Sequence, residues 1–360
     1  MCIFVKKDMN IDKFKVLLSV PSKTYQEEDM VEYICNELDS IGGVTYYRDE
    51  MMNVYATKGV LEEDEYYPMF IAHTDTVHSI IDKIVVKEEK LVRPYTFGKS
   101  FDDTLVDVLK AYDTNDKPTG IGGDDKCGVF ICLELLQQLD KVKVGFFVSE
   151  ETGCHGSSKC DENFLQDVGY ITQYDAPGNH LITEICSGVR LFERDSEFFQ
   201  KTLEVITESF GNEMLIQSHP YTDISQLKKK IDVSCINMSC GYYNMHSVQE
   251  FVSIEDVKNA IEAGKKMVEV LGLKKYTYKY SPIKYTPQLI MNSLVENLEK
   301  DVEVFDYPEE SFHRLDTVDV YEEKDGITLS DAYDDGFLFI PDEDLVSLYE
   351  IIRDRLMKNY

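Results

Sequence analysis

Apolar residues along the chain follow two spacings that together predict an α/β fold. Short continuous apolar runs bounded by turn-forming residues are typical of strands buried inside a sheet. Such runs cover residues 66–72, 142–148, 169–174 and 233–239. Apolar residues spaced three and four apart predict amphipathic helices. These helices cover residues 12–18, 27–41, 127–139, 196–210 and 253–271. Helices that alternate with buried strands predict a three-layer α/β/α sandwich around a mixed, mostly parallel central sheet.

The remaining pattern adds flanking strands and a separate C-terminal region. Further strands are predicted at residues 44–47, 53–57 and 214–217, with a helix after Asp223 and a hairpin made by residues 85–86 and 90–92. Residues 279–287 have the composition of a linker. The elements predicted after it are a helix at 289–298, strands at 318–321, 326–329 and 336–340, and a helix at 342–358. We therefore expect a large domain over residues 1–280 and a small acidic α+β module over residues 281–360, packed on or beside it.

The charge of the chain excludes two classes of partner. Its 360 residues carry a formal net charge of −30, whereas nucleic acids and anionic membranes are bound by positive patches. No apolar run approaches the roughly 20 residues that a transmembrane helix needs, and residues 1–12 contain no secretory signal. The nine cysteines include no Cys-x-x-Cys pair, which indicates reduced thiols and a cytoplasmic protein.

Side chains that bind metals follow the buried strands. The candidates after the four strands are, in chain order, His73, the pair Glu150 and Glu151, Asp175 and His246. A further candidate, Asp124, lies in a glycine-rich turn that opens the helix at 127–139. Because open α/β sheets present functional groups at the carboxyl ends of their strands, we expect these residues to converge on one edge of the sheet.

Imidazole and carboxylate groups in this number suit two divalent ions. Two ions about 3.5–4 Å apart need a bridging group, and we predict that Asp124 offers one oxygen to each ion. The natural division places His73 and Asp175 on one ion. Glu151 and His246 then bind the other. Zinc favours such nitrogen and oxygen ligands and leaves an open position for water, and cobalt and manganese suit them as well.

Two more carboxylates have predicted roles beside the ions. Asp75, two residues after His73, would orient the imidazole. Glu150 binds no metal in this arrangement, so it is the candidate general base that takes a proton from the attacking water and passes it to the leaving amine. Each motif alone has an ordinary structural explanation, such as a helix cap for Asp124. Their joint occurrence in this order favours catalysis.

The motifs and their order resemble a known family, the co-catalytic dizinc exopeptidases that include tripeptidase (peptidase T), carboxypeptidase G and aminoacylase. The motifs that carry the resemblance are His73-Thr74-Asp75-Thr76, Gly123-Asp124-Asp125-Lys126-Cys127-Gly128, Glu150-Glu151-Thr152-Gly153, Tyr174-Asp175 and Gly241-Tyr242-Tyr243-Asn244-Met245-His246. The resemblance spans residues 12–272 and is nearest to the tripeptidase branch. It implies the roles assigned above: His73, Asp124, Glu151, Asp175 and His246 as metal ligands, Asp75 as support and Glu150 as base.

The chain departs from many members of this family in one respect. Those relatives insert a lid or dimerisation domain between the equivalents of Asp175 and His246, and that domain often supplies a histidine that stabilises the oxyanion. The segment here is too short for a lid, so another group must stabilise the oxyanion, an electrostatic contribution that is usually large. The candidates are Tyr243, His219 and His180.

We therefore expect a dizinc metallopeptidase that removes residues from short peptides with a free N-terminus. Two alternatives remain at this stage. One is an amidohydrolase or deacylase that acts on a non-peptide amide. The other is a non-catalytic protein that keeps the metals for structure and binds a partner through its acidic surface. The presence of Glu150 favours catalysis, because a scaffold needs no carboxylate that binds no metal. Oligomeric state and side-chain preference stay open.

Overall fold

The buried apolar runs form the middle of a nine-stranded sheet in the N-terminal unit, residues 1–282. The structure is a computed structural model, and it describes residues 9–81, 83–93, 104–219 and 221–280 together with four strands between residues 312 and 341. The strands of the N-terminal unit are β1 (Val44–Arg48), β2 (Val54–Lys58), β3 (Tyr67–His73), β4 (Val85–Val92), β5 (Leu105–Tyr112), β6 (Pro118–Thr119), β7 (Val142–Phe147), β8 (Val168–Ala176), β9 (Leu181–Cys186), β10 (Val189–Arg190), β11 (Leu215–His219), β12 (Cys235–Ser239), β13 (Tyr242–Tyr243) and β14 (Phe251–Ser253).

The large sheet is mixed, with a parallel centre. Its strand order is β1-β2-β7-β3-β8-β12-β9-β10, and β11 pairs with β9. The four central strands β7, β3, β8 and β12 run parallel to one another, and every residue of each is buried. Burial on both faces explains why their sequences are continuously apolar rather than alternating. Their carboxyl ends therefore lie along one edge of the sheet.

Seven α-helices accompany these strands in the described residues of the unit, in addition to one short 3-10 helix, Glu162–Leu165. The α-helices are α1 (Ile11–Leu18), α2 (Glu28–Ser40), α3 (Gly123–Gln138), α4 (His155–Ser158), α5 (Glu197–Phe210), α6 (Asp223–Lys228) and α7 (Ile254–Leu271). Side-chain caps fix the start of three of them: Asn10, Ser196 and Ser253 accept hydrogen bonds from main-chain amides of α1, α5 and α7. None of the described helices combines the length and the apolar content that a membrane span requires. The predicted α/β class is confirmed.

The predicted hairpin at residues 85–86 and 90–92 is wrong. Both segments belong to the single strand β4, which pairs antiparallel with β5 along its whole length. Together with β6, β13 and β14 these strands form a five-stranded second sheet. Charged residues such as Glu88 and Lys90 do not interrupt β4, because they lie on its exposed face, and antiparallel strands keep one face in solvent and tolerate charges there.

No separate domain lies between Asp175 and His246, where every residue except Pro220 is described. That segment contributes β9, β10, β11 and β12 to the large sheet and α5 and α6 to its flanks. The described residues of this segment belong to the N-terminal unit, and the absence of a lid in the protein stays a prediction. The sequence pattern missed β9, which occupies Leu181–Cys186 between β12 and β10.

The C-terminal unit, residues 283–360, contains a four-stranded antiparallel sheet. Its strands are β15 (Phe312–Leu315), β16 (Val318–Glu323), β17 (Gly326–Asp331) and β18 (Phe337–Pro341). Three of them match the strands predicted from the sequence, and β15 was not predicted. The predicted helices at 289–298 and 342–358, and most of the linker at 279–287, lie outside the described residues. The placement of this unit on or beside the first domain stays a prediction.

A glycine brings α7 close to the sheet. A Cβ atom at Gly264 would overlap the hydroxyl of Tyr174 on β8 and lie 2.8 Å from Leu135 Cδ1 on α3. The Tyr174 hydroxyl is buried and has no hydrogen-bond partner among the described residues. Gly264 therefore sets the spacing between α7, α3 and β8.

Substituting Gly264→Ala is expected to destabilise the protein by about 1–2 kcal/mol, because overpacking a tight core outweighs the gain in helix propensity. The double variant G264A/Y174F removes the hydroxyl that the new methyl group meets, so it should regain most of the loss. Denaturant unfolding of both variants and of Tyr174→Phe measures the coupling. Equal stability losses in G264A and in the double variant would contradict this packing.

Candidate metal centre

The edge formed by the carboxyl ends of β3, β7 and β8 carries the predicted metal ligands. His73 is the last residue of β3 and Asp175 is the last residue but one of β8. Glu151 lies in the turn after β7, and His246 lies in the loop between β13 and β14. Asp124 stands at the start of α3, where Gly122 adopts φ +66° and leads the chain into the helix. The peptide bond between Asp124 and Asp125 is cis.

The two oxygens of Asp124 face two different histidines. Its Oδ1 lies 3.0 Å from His73 Nε2, and its Oδ2 lies 3.3 Å from His246 Nε2. His246 Nε2 is also 3.1 Å from Glu151 Oε2, and His73 Nε2 is 3.7 Å from Asp175 Oδ1. Asp124 therefore lies between one pair made of His73 and Asp175 and another made of Glu151 and His246. This is the division that the sequence predicted.

The donor set fits divalent cations. Donor atoms of His73, Asp124 and Glu151 all lie within 4.8 Å of one another. Glu151 Oε1 is buried and has no hydrogen-bond partner among the described residues, and buried carboxylate oxygens rarely go unsatisfied. Nitrogen and oxygen ligands of this kind suit zinc, and also cobalt or manganese.

Asp75 supports His73 and also holds the loop that carries the two glutamates. His73 Nδ1 lies 3.0 Å from the main-chain oxygen of Asp75 and 3.4 Å from its carboxylate, so Nε2 is the nitrogen that faces Asp124. The Asp75 carboxylate also accepts hydrogen bonds from the amides of Glu150 (2.9 Å) and Glu151 (3.2 Å) and from the Thr24 hydroxyl (2.8 Å). One carboxylate thus sets both the imidazole and the turn after β7.

Glu150 is buried beside the same cluster. Burial raises its pKa well above the usual value for a glutamate, and the negative charges of Asp175 and Asp223 add to that effect. The thiol of Cys154 lies 3.6 Å from Glu150 Oε1. Ser149, the preceding residue, adopts φ +55°, and its amide donates to Glu27 Oε1 at 2.9 Å. Glu150 is therefore presented from a tight turn whose main chain is fixed by hydrogen bonds on both sides.

The three oxyanion candidates make other contacts. The Tyr243 hydroxyl donates to Asp256 Oδ2 at 2.7 Å, and its ring stacks on Phe251. His219 Nδ1 lies 3.1 Å from the main-chain oxygen of Tyr221, and His180 Nδ1 lies 3.3 Å from Asn179 Oδ1. None of these contacts joins the three side chains to Asp124 or its partners. Their role stays a prediction.

Several residues that the sequence did not single out contact the cluster. The Tyr242 hydroxyl lies 3.3 Å from Asp175 Oδ1, and the Thr222 hydroxyl donates to Asp175 Oδ2. The carboxylate of Asp125 accepts the His73 amide at 3.2 Å. Asp223 accepts from the Ser157 hydroxyl, and its second oxygen is buried without a partner among the described residues. The sequence offered no signal that singles out Tyr242, because neighbouring strand residues point to opposite faces and both residues of β13 are tyrosines.

The cluster holds more carboxylates than its histidines can neutralise. Burial and the charge of Asp124 raise the pKa of Glu151 to about 7. Burial also raises the pKa of Asp223 to about 7. Hydrogen bonds to Asp124 and Glu151 raise the pKa of His246 to about 11. Burial opposes ionisation of Asp124, but hydrogen bonds from His246 and His73 outweigh it and hold the pKa of Asp124 below its usual value. The site therefore needs protons or cations to balance its charge.

Comparison with known proteins identifies the fold. No protein-family model and no curated protein matches the chain. Among solved structures, aminopeptidase PepT from Bacillus cereus ATCC 10987 is 14% identical with a TM-score of 0.58, and the match covers 72% of this chain and 97% of that chain. A tripeptidase from Staphylococcus aureus subsp. aureus Mu50 is 14% identical with a TM-score of 0.52, and the match covers 72% and 98% of the two chains.

An aminopeptidase from the archaeon Desulfurococcus kamchatkensis is also 14% identical, with a TM-score of 0.51 and a match that covers 78% of this chain and 96% of that chain. The chain has the fold of these peptidases. The resemblance to the dizinc exopeptidases that the motifs indicated is thereby supported at the level of the fold.

Zinc added to the metal-free protein at pH 7 is expected to bind and to release protons. His246 has a raised pKa of about 11, so it keeps its proton at pH 7 and must lose it to coordinate a metal. Apparent affinity should therefore rise with pH, about tenfold per pH unit for each proton displaced. Calorimetry in buffers of different ionisation enthalpy measures the number of protons released when zinc binds.

Two histidine variants make the measurement specific. His246→Asn is expected to lose at least one of the two ions, whereas His155→Asn, which changes an exposed histidine on α4, should bind zinc as the wild type does. Zinc binding that is independent of pH between 6 and 8, or equal in the wild type and H246N, would contradict the assignment of His246.

Proposed function

We propose that the protein is a dizinc exopeptidase that hydrolyses a peptide bond in short peptides with a free N-terminus. The observation that carries the proposal is the placement of Asp124, which has one oxygen at His73 and the other at His246. A carboxylate between two imidazoles, each with a further carboxylate beside it, is the arrangement that a pair of bridged cations requires. The shared fold of the two aminopeptidases and the tripeptidase supports the same conclusion.

Five side chains would hold the two ions. His73 and Asp175 would bind one, Glu151 and His246 the other, and Asp124 both. Two ions at this position would supply an electrophile for the scissile carbonyl and a water of lowered pKa. Asp75 would keep the His73 ring turned so that Nε2 faces the ions, because it engages Nδ1.

Glu150 would act as the general base. Its carboxylate is buried beside the ligands without a ligand role of its own, and burial raises its pKa, which makes it a stronger proton acceptor than an exposed glutamate. It would accept a proton from the attacking water and deliver it to the nitrogen of the leaving amine. Geometry for this transfer is set by the hydrogen bonds from the Ser149 and Glu150 amides to Glu27 and Asp75.

Substituting Glu150→Gln is expected to lower kcat by about 10²–10⁴-fold while zinc content and KM change little, because the amide keeps the shape and cannot take a proton. Steady-state kinetics on a tripeptide, with metal analysis of the same samples, checks this outcome. Glu162→Gln, which removes an exposed carboxylate paired with Lys230, is the matched control and should leave kcat unchanged. Turnover by E150Q at the wild-type rate would rule out Glu150 as the base.

Substrate class can be tested with a matched panel. We expect cleavage of unmodified di- and tripeptides, loss of cleavage when the N-terminus of the same tripeptide is acetylated, and loss of all activity after chelation. Adding back zinc, cobalt or manganese should restore the activity and identify the preferred metal. Preferential cleavage of acyl-amino acids would instead indicate a deacylase. Zinc binding without turnover of any amide would indicate a non-catalytic role.

A further inference from the structure

Glu250 is a buried carboxylate that joins the segments bearing three of the proposed ligands. It is 1% exposed and lies four residues after His246, in the loop that leads into β14. Its Oε1 accepts a hydrogen bond from the amide of Asp124 at 3.2 Å, and its Oε2 accepts one from the amide of Gly122 at 2.9 Å. Glu250 Oε2 also lies 2.6 Å from His78 Nε2.

These three partners belong to separate parts of the chain. His78 lies in the loop that continues from His73 at the end of β3, and Gly122 and Asp124 form the turn into α3. The carboxylate therefore links the His73 loop, the Asp124 turn and the His246 loop through direct hydrogen bonds. No metal ligand is among the side chains that Glu250 contacts, since its bond to Asp124 is made to the main chain.

Glycines make room for this connection. A Cβ atom at Gly120 would overlap the imidazole of His78, and one at Gly123 would lie 2.7 Å from Tyr242 Cβ and 3.3 Å from Glu250 Oε1. The turn can lie directly against His78 and Glu250 only because both glycine positions lack a side chain. The glycine-rich character of this turn thus serves close packing around the carboxylate.

The donors around Glu250 explain why a carboxylate occupies the position. The two main-chain amides can only donate, and the imidazole donates once its Nε2 carries the proton. A glutamine has one accepting oxygen and one NH2 group. Its NH2 group would therefore face the main-chain N–H of Gly122 or of Asp124, and two donors cannot form a hydrogen bond. Glu250 also places a negative charge at the first amides of α3, which is a favourable position for it.

We propose that Glu250 is a positioning residue that holds the Asp124 main chain so that its side chain meets both histidines. The proposal rests on the proposed function, because it assigns Glu250 to the assembly of the same metal site. The competing explanation is that Glu250 only stabilises the start of α3 and the fold in general. The two explanations make different predictions for the loss of Glu250. A positioning role predicts weaker metal binding than in a control variant that loses the same stability, and a general stabilising role predicts equal metal binding in the two variants.

The test compares Glu250→Gln with Glu184→Gln in the full-length protein. Glu184 is also a buried carboxylate. It lies on β9 and pairs with Arg190 and Arg194. Zinc dissociation constants are measured by competition with a chromophoric chelator, and the melting temperature of the metal-free form is measured for each variant. E250Q is expected to bind zinc about 10–100-fold more weakly, as is usual when a partner behind the ligands is lost. E184Q should bind zinc as the wild type does.

A second variant keeps the test decisive if E250Q does not fold. His78→Phe retains a ring over Gly120 and both main-chain bonds to Glu250 but removes the imidazole. Its zinc affinity should fall by less than in E250Q, by about tenfold at most, which is the lower end of the range seen for such partners.

The possible results separate the two proposals. Zinc affinity in E250Q or H78F equal to that of the wild type, or reduced only as much as in E184Q at a similar loss of melting temperature, overturns the role of Glu250. A wild-type protein that binds no zinc overturns the proposed function itself, and the positioning role with it. Weaker binding in E250Q and H78F, with E184Q unaffected, supports the role of Glu250.

Discussion

The structure depends on one electrostatic constraint, the concentration of buried carboxylates at the shared edge of the parallel strands. Two of them, Asp124 and Asp175, lie within 4 Å of the single nitrogen His73 Nε2. Charges of one sign packed this closely in a water-poor site are unfavourable unless opposite charge or hydrogen bonds compensate them. Much of the surrounding structure supplies that compensation, and the excess of negative charge is reflected in the raised pKa of Glu151 and of His246.

An outer set of carboxylates shapes the loops that carry the inner set. Asp75 accepts main-chain amides of the glutamate turn, Glu27 accepts the amide just before it, and Glu250 accepts two amides of the Asp124 turn. Asp125 accepts the amide of His73. The glutamate turn, the Asp124 turn and the end of β3 are thus each fixed through the main chain by an acidic residue from a distant part of the sequence. This arrangement leaves the ligand side chains free to face the centre, and it explains part of the local abundance of acidic residues.

The central strands and their ends were predictable because a strand that is buried on both faces has a continuous apolar sequence. The candidate ligands were then sought among the polar residues that follow those apolar runs. β4 was misread because its charged residues look like a turn, whereas pairing with β5 keeps them in a strand with one solvent face. Tyr242, whose hydroxyl lies near Asp175, was missed because sequence spacing does not show which of two neighbouring residues faces inward. Glu250 and Asp223 carried no local signal, since their importance comes from partners far away in the chain.

The proposed ligands come from five segments spread between residues 73 and 246, and β3 lies between β7 and β8 in the sheet although it precedes both along the chain. No short stretch of this chain holds more than a fragment of the cage. A nascent or truncated polypeptide therefore has only scattered weak donors, and the proposed pair of sites would form only once long-range strand pairing is complete. Cation uptake would then mark the end of folding rather than guide its beginning, and each ion retained would add its binding energy to the finished fold alone.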